Sequence, residues 1–245
     1  MKTVLITGCS SGFGLETARH FLERDWKVIA TMRKPDHNLL PASDNLIVLS
    51  LDVDDPDSIR AAVEAAGPID ALVNNAGIGL LGVFETTAMA TVREIFGTNT
   101  FGTMAMIQAV LPQFRERKAG VIVNVTSSVT LAPLPLLSAY TASKSAITAF
   151  TQSLALELRQ FNIRLAVIEP GRSPTRFSEN ARPRMEGGIP DAYAGYAESV
   201  FAGMGTPAGT AASDVAEAVW YAVTDPASPM RIPAGADAIA MAEAR

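Results

Sequence analysis

Short runs of consecutive apolar residues recur along the chain, and most are followed by a stretch with helical periodicity. The runs are Thr3–Thr7 (TVLIT), Trp26–Thr31 (WKVIAT), Leu46–Ser50 (LIVLS), Ile69–Val73 (IDALV), Val121–Val125 (VIVNV) and Ile163–Ile168 (IRLAVI). Strands that are apolar on both faces belong to parallel sheets covered by helices on each side. Helices are predicted over Gly12–Arg24, Ser58–Ala66 (entered at Asp55-Pro56), about Phe96–Arg117, Tyr140–Gln160 and Ser213–Val223. The implied architecture is a doubly wound α/β sheet. With 245 residues and neither an internal repeat nor a linker, the chain reads as a single domain over residues 1–245.

The alternation breaks at about residues 171–210, a stretch rich in Gly, Pro, Ser, Arg and Ala with scattered aromatics. A segment of that length in a compact domain is usually functional, and a lid is the expectation, with a disordered insertion as the alternative. A final edge strand is expected near Met230–Ile232.

Several function classes are disfavoured at this stage. A net charge of −5 gives no basic footprint for nucleic acid and no polybasic membrane patch. Cys9 is the only cysteine, and His20 and His37 have no evident ligand partners, so neither a disulfide nor a metal site is expected. The stretches Ile95–Phe114 and Ala119–Ser143 are free of charged residues but carry too many Asn, Thr, Gln, Ser and Pro residues for membrane spans. No signal peptide is read at the N-terminus, and the expected compartment is the cytoplasm. The charged fraction of 18% is below the usual value of about 25%, which points to surface hidden in a cleft or against another subunit.

The first strand runs into Thr7-Gly8-Cys9-Ser10-Ser11-Gly12-Phe13-Gly14 and then directly into a helix. Gly8 permits a tight turn, Gly12 lets backbone approach a pyrophosphate, and Gly14 lets the helix lie close to the strand. The helix N-terminus offers free N–H groups to phosphate. A plain strand-to-helix connection would use similar residues, but the position at the first βα turn favours a dinucleotide. Rossmann units that bind NAD place an acidic residue about 20 positions further on. Here that place reads Ala30-Thr31-Met32-Arg33-Lys34. A cation in place of a carboxylate suits a 2′-phosphate, so NADP (NADPH) is predicted over NAD, with Arg33 as its partner and Ser10 or Ser11 adding hydroxyl contacts.

Tyr140 and Lys144 stand four apart on a predicted helix and so share a face. A nearby ammonium would favour the phenolate and lower the tyrosine pKa. Ser127 lies thirteen residues before Tyr140, just past a strand, where ligands of open α/β sheets bind. Asn74-Asn75-Ala76-Gly77 follows another strand, and Asn99 lies on the long helix.

Thr7-Gly8-x-x-x-Gly12-x-Gly14, Asn74-Asn75-Ala76-Gly77, Asn99, Ser127, Tyr140-x-x-x-Lys144 and Pro170-Gly171 with Thr175 occur in the order of the short-chain dehydrogenase/reductase family. Nearly the whole chain resembles its branch of about 250 residues, closest in feel to the steroid- and retinoid-dehydrogenase-like members. The resemblance implies that Tyr140 is the general acid–base, that Lys144 lowers its pKa and binds the nicotinamide ribose, and that Ser127 polarises the carbonyl. It implies that Asn99 holds a water linking Lys144 to solvent. Asp52 and Val53 would border the adenine, Asn75, Ala76 and Gly77 would line the cofactor cleft, and Thr175 would touch the carboxamide. Ser128 is the alternative to Ser127; the spacing from Asn124 favours Ser127.

The C-terminal Pro233-Ala234-Gly235-Ala236-Asp237-Ala238 departs from the family's usual glycine pair. That leaves dimer and tetramer both open for a homo-oligomer built on the two long helices. Leu131–Leu137, Phe177, Tyr193, Tyr196 and Phe201 are candidate pocket walls, which favour a hydrophobic ketone, aldehyde or alcohol. Arg172, Arg176, Arg182 and Arg184 would meet a substrate carboxylate or be solvated. The competing readings are an NAD-dependent alcohol dehydrogenase, a non-catalytic nucleotide-binding regulator, and an epimerase or dehydratase of the longer branch.

Overall fold

One parallel sheet of seven strands organises the computed structural model, which describes residues 1–173, 188–203 and 209–244. The strands are β1 (Thr3–Ile6), β2 (Lys27–Met32), β3 (Leu46–Ser50), β4 (Ala71–Asn74), β5 (Gly120–Val125), β6 (Ile163–Pro170) and β7 (Arg231–Ala234). Their order is β3-β2-β1-β4-β5-β6-β7, so the winding reverses between β1 and β4. This is the doubly wound, Rossmann-like sheet implied by the apolar runs. The crevice at the carboxyl ends of strands flanking such a reversal is where open α/β sheets bind ligands.

Alternation along the strands loads both faces. Val4, Ile6, Val28, Ala30, Val73 and Val123 pack with Ala18 and Phe21 of α1 (Gly12–Leu22) and with Val215 and Val219 of α7 (Ala212–Thr224). Leu5, Ile29, Leu72 and Ile122 point the other way. They meet α2 (Pro56–Ala66), α4 (Thr103–Arg117) and α5 (Ser138–Leu158), chiefly through Ile59, Met106, Val110, Phe114 and Leu154. The entry to α2 follows the sequence reading: Asp55 caps it, accepting from the Asp57 N–H at 2.9 Å, with Pro56 in the first turn.

The predicted helix over Phe96–Arg117 differs from the structure. The helical run begins as α3 (Met89–Phe96), widens into a π-helical stretch at Gly97–Gly102, and continues as α4. A Cβ on Gly102 would stand 2.9 Å from the Val53 side chain and from its carbonyl oxygen, so the helix passes Val53 at glycine distance. Such π stretches are frequent at functional sites, and this one carries Asn99. Two further helices were not anticipated. One is α6 (Asp191–Gly203), inside the stretch read as irregular. The other is α8 (Ala236–Glu243), in the tail. No helix among the described residues is long and apolar enough to cross a membrane.

Candidate active site

The glycine turn and the Asn75 loop are built as one unit. Gly8 and Gly12 adopt positive φ (75° and 57°), where a side chain would strain the backbone. A Cβ on Gly8 would lie 2.8 Å from the Ala76 Cα, and one on Gly14 would overlap the Gly8 carbonyl oxygen and the Asn75 amide. Asn75 Nδ2 donates to the carbonyls of Thr7 (2.9 Å) and Gly8 (3.2 Å). Thr7 Oγ1 accepts from the backbone N–H groups of Asn75 (3.0 Å) and Ala76 (2.9 Å). The Asn75 side chain, read as lining the cleft, is therefore used to hold the glycine turn against the end of β4. Helix α1 opens with no acidic residue in its first turn and no side-chain bond from Ser11. Its terminal N–H groups and positive dipole end remain for an anion, and this donor set fits a pyrophosphate. Ser10 is exposed, while Ser11 and Phe13 are half-buried. Cys9 is buried beneath the turn, which pushes its thiol up to about 12 and leaves it inert.

Arg33 is exposed immediately past the end of β2, beside exposed Lys34. Asp52 is half-buried, its carboxylate accepting from the Asp54 N–H at 3.1 Å, and Val53 is buried.

Tyr140 and Lys144 lie on the first turns of α5 and are both buried, at 5% exposure. Ser127 forms a side-chain hydrogen bond with Tyr140. Ser127 also caps the turn Ser128–Thr130, its Oγ accepting from the Val129 N–H at 3.4 Å. Ser128 is buried in that turn. The geometry therefore brings Ser127 to the tyrosine.

Burial dominates the phenol and pushes its pKa above the usual tyrosine value, with the Ser127 bond acting in the opposite direction. This direction is opposite to the lowering expected from a neighbouring Lys144: in the folded chain burial of the phenol outweighs it. Lys144 is itself lowered to about 8 by burial, and its ammonium donates to the Val125 carbonyl at 3.0 Å.

Asn99 Oδ1 accepts from the Ile78 N–H (2.8 Å), and its Nδ2 donates to the Ile78 carbonyl (3.0 Å) and to Ser143 Oγ (3.1 Å). A side chain on Gly77 would reach within 3.2 Å of Asn99 Oδ1 and 3.3 Å of Lys144 Nζ, so glycine leaves open the space between them. With these partners the Asn99 side chain has one lone pair of Oδ1 to offer a water.

Pro170 closes β6, and the following Gly171 packs on Asp237, whose carboxylate accepts from the Arg172 N–H (2.7 Å) and Thr210 Oγ1 (2.6 Å). Thr175, Arg176, Phe177, Arg182 and Arg184 lie outside the described residues. Tyr193 donates to Glu85 Oε2 at 2.8 Å, while Tyr196 and Phe201 are exposed. The loop Leu131–Leu137 is tied to the stretch after Gly77 by Gly82 N–H donating to the Leu136 carbonyl at 2.8 Å, with Leu136 itself at φ 60°.

Sequence reading missed the polar groups that support the site. Asn124 links Asn74 (2.9 Å) to Thr151 (2.8 Å) across β4, β5 and α5. Glu169, fully buried on β6, pairs with Arg231. A carboxylate directly after the apolar run Leu165–Ile168 was the available signal. Among the described residues no cluster of side chains is suited to a metal ion.

Comparison with known proteins matches residues 2–186 to the family model for short chain dehydrogenases. Retinol dehydrogenase 8 of Homo sapiens is 40% identical over 187 residues, covering 72% of this chain and 60% of that protein. The match thus spans less than two thirds of that relative. A short chain dehydrogenase from Burkholderia cenocepacia, solved in complex with NADP, superposes with a TM-score of 0.80 at 25% identity over 99% of this chain and 93% of that one. The 3-ketoacyl-(acyl-carrier-protein) reductase of Brucella melitensis, solved with NADH, gives a TM-score of 0.78 at 28% identity over 95% and 96%.

Proposed function

The chain belongs to the short-chain dehydrogenase family, and from that premise we propose that it is an NADP(H)-dependent oxidoreductase interconverting a hydrophobic ketone or aldehyde with its alcohol. The observation that carries this reading is the buried Tyr140 hydrogen-bonded to Ser127, with Lys144 one helical turn on, at the carboxyl edge of the sheet beside the glycine turn.

Gly8, Ser10, Ser11, Gly12, Phe13 and Gly14 would hold the pyrophosphate; Asp52, Val53, Asn75, Ala76, Gly77, Pro170, Gly171 and Thr175 would line the remainder of the cofactor site. The nicotinamide, when bound, supplies or accepts the hydride. The protein's part is at the oxygen. Negative charge grows there as a carbonyl is reduced, and donors aimed at that atom stabilise the transition state more than the ground state. Tyr140, kept protonated by burial, donates its phenolic proton to this oxygen, and Ser127 donates a hydrogen bond to the same atom. Lys144 keeps a positive charge beside the tyrosine that has given up its proton, and Asn99 fixes the Ile78 backbone against this corner. In the oxidative direction the proton movements reverse.

Arg33, with no carboxylate at the end of β2, favours NADP; one solved relative carries NADP and the other NADH, so the preference rests on this chain's own residues. The apolar loop Leu131–Leu137 and the likeness to a retinol dehydrogenase support a lipophilic substrate. Helix α6, within the segment of about 171–210 read as a lid, would serve as the substrate-covering part of a single domain. Exposed Phe101 and Leu156, on the helical run containing α4 and on α5, suit pairing of two copies. The test is a panel of aliphatic, retinoid and steroid carbonyls assayed by absorbance at 340 nm with NADPH and NADH in parallel. Consumption with NADPH and an apolar ketone or aldehyde supports the reading, and inactivity across the panel with both cofactors overturns it.

A further inference from the structure

Glu169 presents a carboxylate with no solvent exposure, near the end of a strand whose preceding residues Leu165–Ile168 are all apolar. A buried ion pair is weak evidence of stability, because desolvation offsets much of the attraction. Its placement is more informative. Val167 is in register with Arg231, so Arg231 reaches diagonally along the same face of the sheet to Glu169. Arg231 Nε donates to Glu169 Oε2 at 3.1 Å, and Nη2 pairs with Oε1.

The third partner of this pair is the turn that follows Ser127. Thr130 Oγ1 donates to Glu169 Oε1 at 2.5 Å, and Arg231 Nη2 reaches the Thr130 carbonyl at 3.4 Å. Thr130 in turn holds Ser127: its N–H donates to the Ser127 carbonyl at 3.1 Å, with Thr130 Oγ1 2.9 Å from the same oxygen. A single turn of 3₁₀-helix has poor internal hydrogen-bond geometry and does little to fix its own position. The hydroxyl of Ser127 nevertheless has to stay aligned with Tyr140.

We propose that Glu169 and Arg231 are positioning residues: through Thr130 they hold the Ser127 turn so that its hydroxyl stays beside Tyr140, placed to donate to the substrate oxygen when substrate is bound. This rests on the catalytic role given to Ser127 above. Thr130→Val removes the hydroxyl link at almost constant volume and leaves the ion pair in place. Glu169→Gln removes the charge. Each is made in the wild type and in Ser127→Ala, with kcat, the KM for NADPH and the melting temperature measured.

Thr130→Val is expected to lower kcat about tenfold, as a small misplacement of a reacting group does. The NADPH KM should stay within about twofold, because the glycine turn is untouched. In the Ser127→Ala background the same substitution should cause no further loss, which a general weakening of the fold would not produce. Glu169→Gln should behave in the same way wherever it folds; Thr130→Val decides the matter if it does not. The inference is overturned if Thr130→Val leaves kcat within twofold, or lowers it equally with and without Ser127. If Ser127→Ala itself leaves kcat unchanged, the catalytic assignment fails first and takes this inference with it; a Ser127→Ala defect with an unaffected Thr130→Val sinks the inference alone.

Discussion

Replacing Lys144 by methionine should stabilise the protein at neutral pH while abolishing turnover. The ammonium is buried on α5, and burial lowers its pKa from 10.5 to about 8. At about 1.4 kcal/mol per pKa unit, holding the charged form in the fold costs about 3 kcal/mol. Because the native pKa lies below the unfolded one, the folded protein binds fewer protons between pH 8 and 10.5, and stability rises with pH through that window. Below pH 8 the full penalty applies. Methionine removes it at similar volume but leaves the Val125 carbonyl, now bonded at 3.0 Å, without a donor, at a cost of roughly 1–3 kcal/mol. The net expectation is a variant about 1 kcal/mol more stable at pH 7, or roughly 2–4 °C in melting temperature for a chain of this size. By pH 10.5 the order should reverse, because the wild-type penalty has vanished while the unpaired carbonyl remains. Urea unfolding of both proteins at pH 7, 9 and 10.5 is the assay. Other groups titrating in this range are shared and cancel in the difference. A stability difference that does not change with pH would refute the reasoning.

Gly14→Ala pushes a methyl group into the Gly8 carbonyl and the Asn75 amide, so the turn must open; NADPH fluorescence titration should show affinity falling by about tenfold or more. Arg33→Asp should weaken NADPH binding by about tenfold relative to NADH, since a carboxylate repels a 2′-phosphate; equal effects on the two cofactors would contradict the reading of β2. His20 is buried against Trp220 with Nε2 unpaired, and burial followed by the nearby Arg24 charge lowers its pKa. The native state therefore resists protonating it, and stability should fall as pH drops below about 6.5. His20→Leu should show a smaller loss of melting temperature between pH 7 and pH 5.5.

The sheet was legible because its strands are apolar on both faces, and helix pairs such as Tyr140 and Lys144 because spacing of four fixes a shared face. Periodicity is blind to other features. The π stretch at Gly97–Gly102 ends where Gly102 passes close over Val53, a tertiary contact with no local signature. Helix α8 begins after Gly235 at φ 93° and is anchored by Asp237 reaching residues more than 25 positions away, so its sequence alone read as a tail. The direction of the Tyr140 shift was misjudged because a lysine one turn away is visible in a sequence, whereas the degree of burial is not.

The most direct test of the whole account is the rate of hydride transfer in Tyr140→Phe, measured in a single turnover with NADPH bound to saturation. The substitution removes one hydroxyl from a buried ring, so cofactor affinity should hold within about threefold while the transfer rate falls by roughly 10²–10⁴, the usual contribution of a positioned acid. A variant that transfers hydride at the wild-type rate would show that the proton comes from elsewhere, and the site as described would not be the active site.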